Sequence, residues 1–120
     1  MNSWEELESL CKNCNKCKLA QGRNNVVIGC GNKKADLMFI GEGPGADEDA
    51  QGNPFVGKAG KLMNMALTGI GINRDEVYIT NIVKCRPPMN RNPEKDEADS
   101  CKEYLQTQIE LVKPKIIVLL

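Results

Sequence analysis

The 120-residue sequence contains no histidine. The side chain that most often acts as general acid or base near neutral pH, and most often ligates a transition metal, is therefore missing from every mechanism open to the chain. Net charge is missing too: sixteen basic residues balance sixteen acidic ones. No global field draws the molecule toward a polyanion, and any nucleic-acid contact has to come from a local basic patch. No apolar run approaches the length of a membrane span. The opening Met1-Asn2-Ser3-Trp4-Glu5-Glu6 is acidic and lacks the apolar core of a secretory signal. These absences predict a cytoplasmic protein with no membrane partner. In that reducing setting the six cysteines point to ligation of a metal or cluster rather than to disulfides.

What is present reads as one small domain spanning residues 1–120, with a hydrophobic content of 41% to build a core. Ser3 followed by Glu6 fits a capping box, opening a helix whose apolar side carries Trp4, Leu7, Leu10 and Cys11. Val26, Val27 and Ile28 suggest a short strand. Residues 36–41 form a short apolar run of the kind a buried parallel strand shows. After a long glycine-rich, acidic loop, Ala59, Leu62, Met63, Ala66 and Leu67 recur with the spacing of an amphipathic helix over 58–68. A second central strand is predicted over 77–84, followed by a loop with three prolines. Asn92 as N-cap and Pro93 at the first helical position start a helix on which Ala98, Cys101, Leu105, Ile109 and Val112 share a face, and Pro114 ends it. Residues 115–120 read as a third buried-type strand. Strands alternating with helices predict an α/β fold, a three-layer α/β/α sandwich around a central parallel sheet. A final strand with nothing after it to cover its outer face and edge predicts self-association there.

The loop from Gly41 to Gly57 lies at the carboxyl end of a strand, where open α/β sheets bind ligands. It is a poor phosphate cradle. Gly52-Asn53-Pro54-Phe55-Val56-Gly57-Lys58-Ala59 has alanine where a phosphate loop needs a metal-binding hydroxyl, and Pro54 removes an amide donor. Glu42, Asp47, Glu48 and Asp49 would repel an anion. A neutral base suits it better: Phe55 can stack on a flat ring, and the Asn81 amide offers the donor and acceptor pair that uracil requires and cytosine reverses. The plainer alternative, a structural strand asparagine and a packing phenylalanine, stands beside this reading. Cys11, Cys14 and Cys17 form overlapping Cys-x-x-Cys pairs, so spacing alone leaves open which pair ligates and whether zinc or an iron–sulfur cluster is held. Cys30 reads as a small buried side chain.

Cys14-x-x-Cys17-Lys18-Leu19-Ala20, Gly41-Glu42-Gly43-Pro44-Gly45 running to Pro54-Phe55-Val56-Gly57, Thr80-Asn81-Ile82-Val83-Lys84-Cys85-Arg86-Pro87-Pro88, and then Cys101 together resemble the family 4 uracil-DNA glycosylases. The resemblance implies an enzyme of base excision repair that flips uracil out of DNA and hydrolyses its N-glycosidic bond, carrying a structural 4Fe-4S cluster. By position it makes Cys14, Cys17, Cys85 and Cys101 the cluster ligands, Phe55 the stacking ring and Asn81 the base reader. Glu42, Gly43 and Asp47 would line the pocket and help to position water. Lys84, Arg86 and Arg91, beside the cysteines, form the expected DNA-phosphate patch, although three such charges also describe an ordinary solvated loop. Cys11, with the same spacing to Cys14, is a possible substitute ligand, and zinc the alternative occupant. The resemblance also implies a further strand with a His-Pro-Ser type motif. The chain is therefore expected to be a C-terminally truncated domain with impaired excision, or a cluster-binding module of the kind related to phage-type DNA polymerases.

Overall fold

The structure, a computed structural model, describes residues 1–120. Trp4–Lys12 forms helix α1, which Ser3 caps by accepting the Glu6 amide at 3.2 Å. Leu7 and Cys11 are buried on it, whereas Leu10 faces solvent. A two-residue strand, β1 (Cys30–Gly31), follows. It lies just beyond the segment predicted from Val26 to Ile28, where the Val27 amide instead donates to the Lys84 carbonyl at 2.7 Å. Strand β2 (Leu37–Gly41) leads into a short helix α2 (Ala46–Gln51) and then α3 (Lys58–Gly69). Strand β3 (Tyr78–Asn81), the long helix α4 (Lys95–Val112) and strand β4 (Ile116–Leu119) complete the order. No helix is long and apolar enough to cross a membrane.

The strands lie in the order β1-β3-β2-β4. β2 pairs in parallel with β3 and with β4, while β1 runs antiparallel to β3. The predicted parallel sheet is present in β3-β2-β4, and β1 makes the sheet mixed at one edge. Parallel strands need a crossover of roughly a dozen residues or more, and the link from Gly31 to Leu37 is too short for one, so the chain reverses direction. Gly31 permits the pairing, because a Cβ there would stand 1.9 Å from the Val77 carbonyl oxygen.

Side chains alternate across β2 and fill both faces. Met38 and Ile40 pack with Ala35, Tyr78 and Val112, flanked by Trp4, Leu105 and Ile109 from α1 and α4. Phe39 packs on the other side with Leu67, Val77 and Ile79, flanked by Met63 of α3 and Val118 of β4. Helices on both faces give the expected α/β/α layering.

The two long helices differ in detail from their sequence patterns. On α3 the buried residues are Gly60 and Leu67, and of the expected apolar face Met63 and Leu67 turn inward while Leu62 is 68% exposed. Gly60 is the physical reason: a Cβ there would sit 1.8 Å from the Phe55 carbonyl oxygen, so the helix turns its glycine, not Leu62, toward the loop. α4 begins at Lys95 rather than Pro93. The Glu97 carboxylate accepts the Glu94 amide at 2.8 Å and takes both guanidinium nitrogens of Arg91 at 2.8 and 2.7 Å, fixing the first turn two residues later. At its end Lys113 adopts a left-handed conformation, φ 54°, just before Pro114. β4 occupies a sheet edge with Ile116, Ile117 and Leu119 exposed, so this strand is paired yet largely bare.

Candidate functional site

Two sites are built where β2 and β3 end. In the first, Gly41 and Asn81 are partners in the parallel ladder. A Cβ on Gly41 would stand 2.4 Å from Asn81 Oδ1 and 2.6 Å from Phe55 Cζ, so the ring and the amide meet over one glycine. Asn81 is 2% exposed, and its Oδ1 is buried without a hydrogen-bond partner. A buried unpaired acceptor is costly, so native structures rarely keep one without a use. Here it stands ready to accept an N–H from a flat ligand stacked on Phe55.

The loop that carries Phe55 is held from several directions. Phe55 is a non-glycine residue in the left-handed region, φ 52°, a conformation that costs on the order of 1–2 kcal/mol. Arg74 holds it there: its guanidinium donates to the carbonyl of Phe55 at 2.6 Å, to that of Pro54, and to Asn64 Oδ1 at 3.1 Å. Glu48 clasps the other side by accepting the amides of Gly45, Val56 and Gly57 at 3.0, 2.9 and 2.7 Å. Partial burial pushes the Glu48 carboxyl up, but the amides of Gly57, Val56 and Gly45 outweigh it and hold the group below its ordinary value. Asp49 is buried and accepts the amides of Asn24 and Asn25 at 2.9 and 3.2 Å. Of the four acidic residues in the loop, Glu48 and Asp49 are therefore structural, whereas Glu42 and Asp47 face solvent. Asp47 lies over Gly57, where a Cβ would stand 2.8 Å from its Oδ2. Gly43 packs closely against the segment after β3, since a Cβ there would be 2.9 Å from Val83 Cγ2. Arg74, Gly60 and the clasping role of Glu48 were missed in the sequence. Only Gly60, a glycine inside a helical pattern, carried a local signal.

The second site is the cysteine centre. Cys14 and Cys17 after α1, Cys85 after β3 and Cys101 on α4 line one small cavity of about 10 Å³, together with Cys11, Arg23, Lys84 and Tyr104. Cys30 lies apart, half-buried, with its sulfur 3.6 Å from the Arg74 guanidinium. Burial pushes the Cys11 thiol up to about 12 and the Cys85 thiol up to about 11, and it raises Cys101 as well. Arg23 opposes this at Cys85 by donating to its Sγ at 3.4 Å, and Lys84 opposes it at Cys11 and Cys101; Arg23 also donates to the Cys14 carbonyl at 2.5 Å. No group of three or more Cys, Asp or Glu side chains is arranged to hold a metal ion.

The expected basic patch requires a correction. Lys84 is 1% exposed and points inward, where its ammonium donates to Thr80 Oγ1 at 2.8 Å and to the Asn81 carbonyl at 2.5 Å, so it is not available to a phosphate. Burial brings its pKa down to about 8, against the pull of Cys11 and Cys101. A lysine directly after a strand looks like a surface residue in sequence, but here Thr80 and the cysteines surround it. Arg91 is one-third exposed and engaged with Glu97, whose carboxyl the Arg91 hydrogen bonds hold down to about 2. Arg86 is half-buried and donates to Asn90 Oδ1 at 2.9 Å. Its loop turns through left-handed Met89 and Asn90, leaving Met89 95% exposed.

Comparison with known proteins places the chain in a family. The model of the uracil DNA glycosylase superfamily matches residues 28–120. A type-4 uracil-DNA glycosylase of Sulfurisphaera tokodaii is 53% identical over 121 aligned residues, covering 100% of this chain and 55% of that protein. That of Archaeoglobus fulgidus is 48% identical over 120 residues, covering 100% of this chain and 60% of its own length. The chain thus spans little more than half the length of these curated relatives. A DNA polymerase of Bacillus phage SP01 is 41% identical over 91 residues, which make up 75% of this chain and 10% of the polymerase.

Proposed function

The chain belongs to the uracil DNA glycosylase superfamily, and on that premise we propose that it serves in base excision repair, binding uracil flipped out of DNA and promoting hydrolysis of its N-glycosidic bond. The observation that carries the reading is the buried, unpartnered Asn81 Oδ1 beside the Phe55 ring. Uracil stacked on Phe55 would give its imide N–H to that oxygen and take the Asn81 N–H at a carbonyl, whereas cytosine presents the opposite pattern on the same edge. In the reaction a water oxygen bonds to the sugar carbon as the bond from that carbon to the base nitrogen breaks, the base departs with the electron pair, and the proton shed by the water ends on that base nitrogen. Glu42, Gly43 and Asp47 are assigned to line the pocket and to position that water. The chain itself brings no histidine to the departing anion. Arg86 and Arg91 are assigned to DNA phosphates, with Arg91 shared with Glu97.

Cys14, Cys17, Cys85 and Cys101 would hold a 4Fe-4S cluster, which when bound ties the beginning, middle and late helix of the domain together. Four thiols around one cavity, with Arg23 and Lys84 beside them, suit an anionic polynuclear group, and zinc is the alternative occupant. A protein prepared without oxygen should be brown and contain iron and sulfide, while stoichiometric zinc without sulfide would exclude the cluster. We also assign the bare β4 edge to self-association, visible as a concentration-dependent mass in sedimentation.

The function is tested by uracil release from U:G duplexes against cytosine release from C:G duplexes. Asn81→Asp should lower the uracil preference, because it replaces an N–H donor with an acceptor, and an unaltered ratio would remove Asn81 from base reading. Cluster binding with no release of uracil would assign the chain as a cluster-binding module instead.

A further inference from the structure

Lys84 belongs to both sites at once. Its side chain lines the cysteine cavity, and its ammonium donates to the backbone carbonyl of Asn81 at 2.5 Å and to Thr80 Oγ1 at 2.8 Å. It has no carboxylate within ion-pair distance, although it is buried. The charged or ionisable groups that face it are thiols, Cys11 of α1 and Cys101 of α4, with the Arg23 guanidinium on the same cavity. An uncompensated buried ammonium is strongly disfavoured. A thiolate-ligated anionic group in the cavity would compensate it.

We propose that Lys84 is a positioning residue that links the cysteine centre to the base pocket: the charge held by the cysteines anchors its ammonium, and the ammonium fixes the end of β3 that presents Asn81. The inference rests on the reading of Asn81 as the base contact. Hydrogen bonds hold the rest of this strand end in place. Thr80 also donates to the Ile28 carbonyl at 2.6 Å, and Gln108 of α4 donates to that same carbonyl at 2.8 Å. The Asn81 side chain has no such tie of its own at Oδ1. Its orientation therefore depends on the backbone that Lys84 holds. The cysteine centre would thus set the geometry of base recognition as well as stabilise the fold.

The test follows the side-chain amide of Asn81 by 15N–1H NMR in the full 120-residue chain, with the signal assigned through its loss in Asn81→Asp. Lys84→Met should displace or broaden that signal, while Lys115→Met, a change at an exposed lysine far along the chain, leaves it in place. Lys84→Gln retains an N–H donor near the Asn81 carbonyl without the charge. It is the milder variant should Lys84→Met fail to fold, and it should bring the signal only part of the way back. An Asn81 signal at its wild-type position in Lys84→Gln, or in a folded Lys84→Met, would overturn the proposal. Iron content, read by visible absorbance, should survive in the Lys84 variants, since all four ligand thiols remain. Titration with free uracil then separates the two readings. In wild type it should move the Asn81 signal, and in Lys84→Met the affinity should fall about tenfold, the loss expected when a charge-assisted hydrogen bond is removed. Uracil that leaves the wild-type signal unmoved would defeat the base-pocket reading, yet a signal displaced by Lys84→Met would still establish the positioning role.

Discussion

β3 and β4 flank the same strand, pair with it in the same direction and are both rich in β-branched residues, yet β3 is buried at all four positions and β4 is exposed at three of its four. Apolar sequence earns a strand its place in a sheet. It does not tell how much will be laid over it. β3 is covered because α1, α3 and α4 all reach it and because two sites are built at its end, whereas β4 has the sheet on one side alone. The largest expected effect tests the covered strand. Ile79 is fully buried, so Ile79→Asp buries an unpaired carboxylate at a cost of several kcal/mol, set against a total stability of about 5–15 kcal/mol. It should abolish the cooperative thermal transition.

Next in size is Cys101→Ala, which removes a proposed ligand from the helix that covers β3. Soluble yield and iron content should fall together, because loss of a ligand removes the contribution of the centre to folding. Unchanged melting and metal content would exclude Cys101 from the ligand set. A smaller effect is expected at the start of the same helix. The Glu97 carboxyl is held down to about 2 from its ordinary 4.5. Its contribution is therefore fully present above about pH 4.5 and is lost as pH falls toward 2. Arg91→Ala should move the acid-unfolding midpoint to higher pH, measured by circular dichroism across pH 2–6, with stability near pH 7 also reduced. Least affected should be the bare strand. Leu119 is 75% exposed, and Leu119→Asp should change stability by no more than about 0.5 kcal/mol while it lowers the self-associated fraction in sedimentation. A loss as large as that of Ile79→Asp would mean that β4 is covered in solution.

Much of this arrangement was legible in the sequence, for identifiable reasons. The runs around Phe39 and Ile79 announced buried strands because both faces of the sheet are covered. Ser3 announced its helix through a local hydrogen bond. Phe55 and Asn81 were read as neighbours because strand ends of a parallel sheet share an edge. The failures are mostly tertiary. The acidic loop hides α2, whose Asp47 and Glu48 suit a helix N-terminus and whose end is marked by left-handed Gly52, but the density of glycine masked that signal. The buried face of α3 was partly misplaced because Gly60, with no side chain to count as apolar, is a residue that faces inward. Lys84 was read as a surface cation because nothing local to it shows that Cys11, Cys101 and Thr80 will close around it. Arg74 sits in an exposed turn in sequence terms and clamps residues some twenty positions earlier.

The position of β2 at the centre of the strand order also dictates a timetable. Met38 is paired to Tyr78 on one side and to Ile117 on the other, both made later on the ribosome. At a synthesis rate of about 5–20 residues per second, the second partner follows Met38 by roughly 4–16 s. For that interval an interior strand of the sheet has an open edge in a crowded cell. The cysteines of α1 and the turn after it are waiting as well, since Cys101 emerges shortly before β4. Translation speed through residues 41–119 is therefore a determinant of how much of this protein reaches its sheet before another chain does.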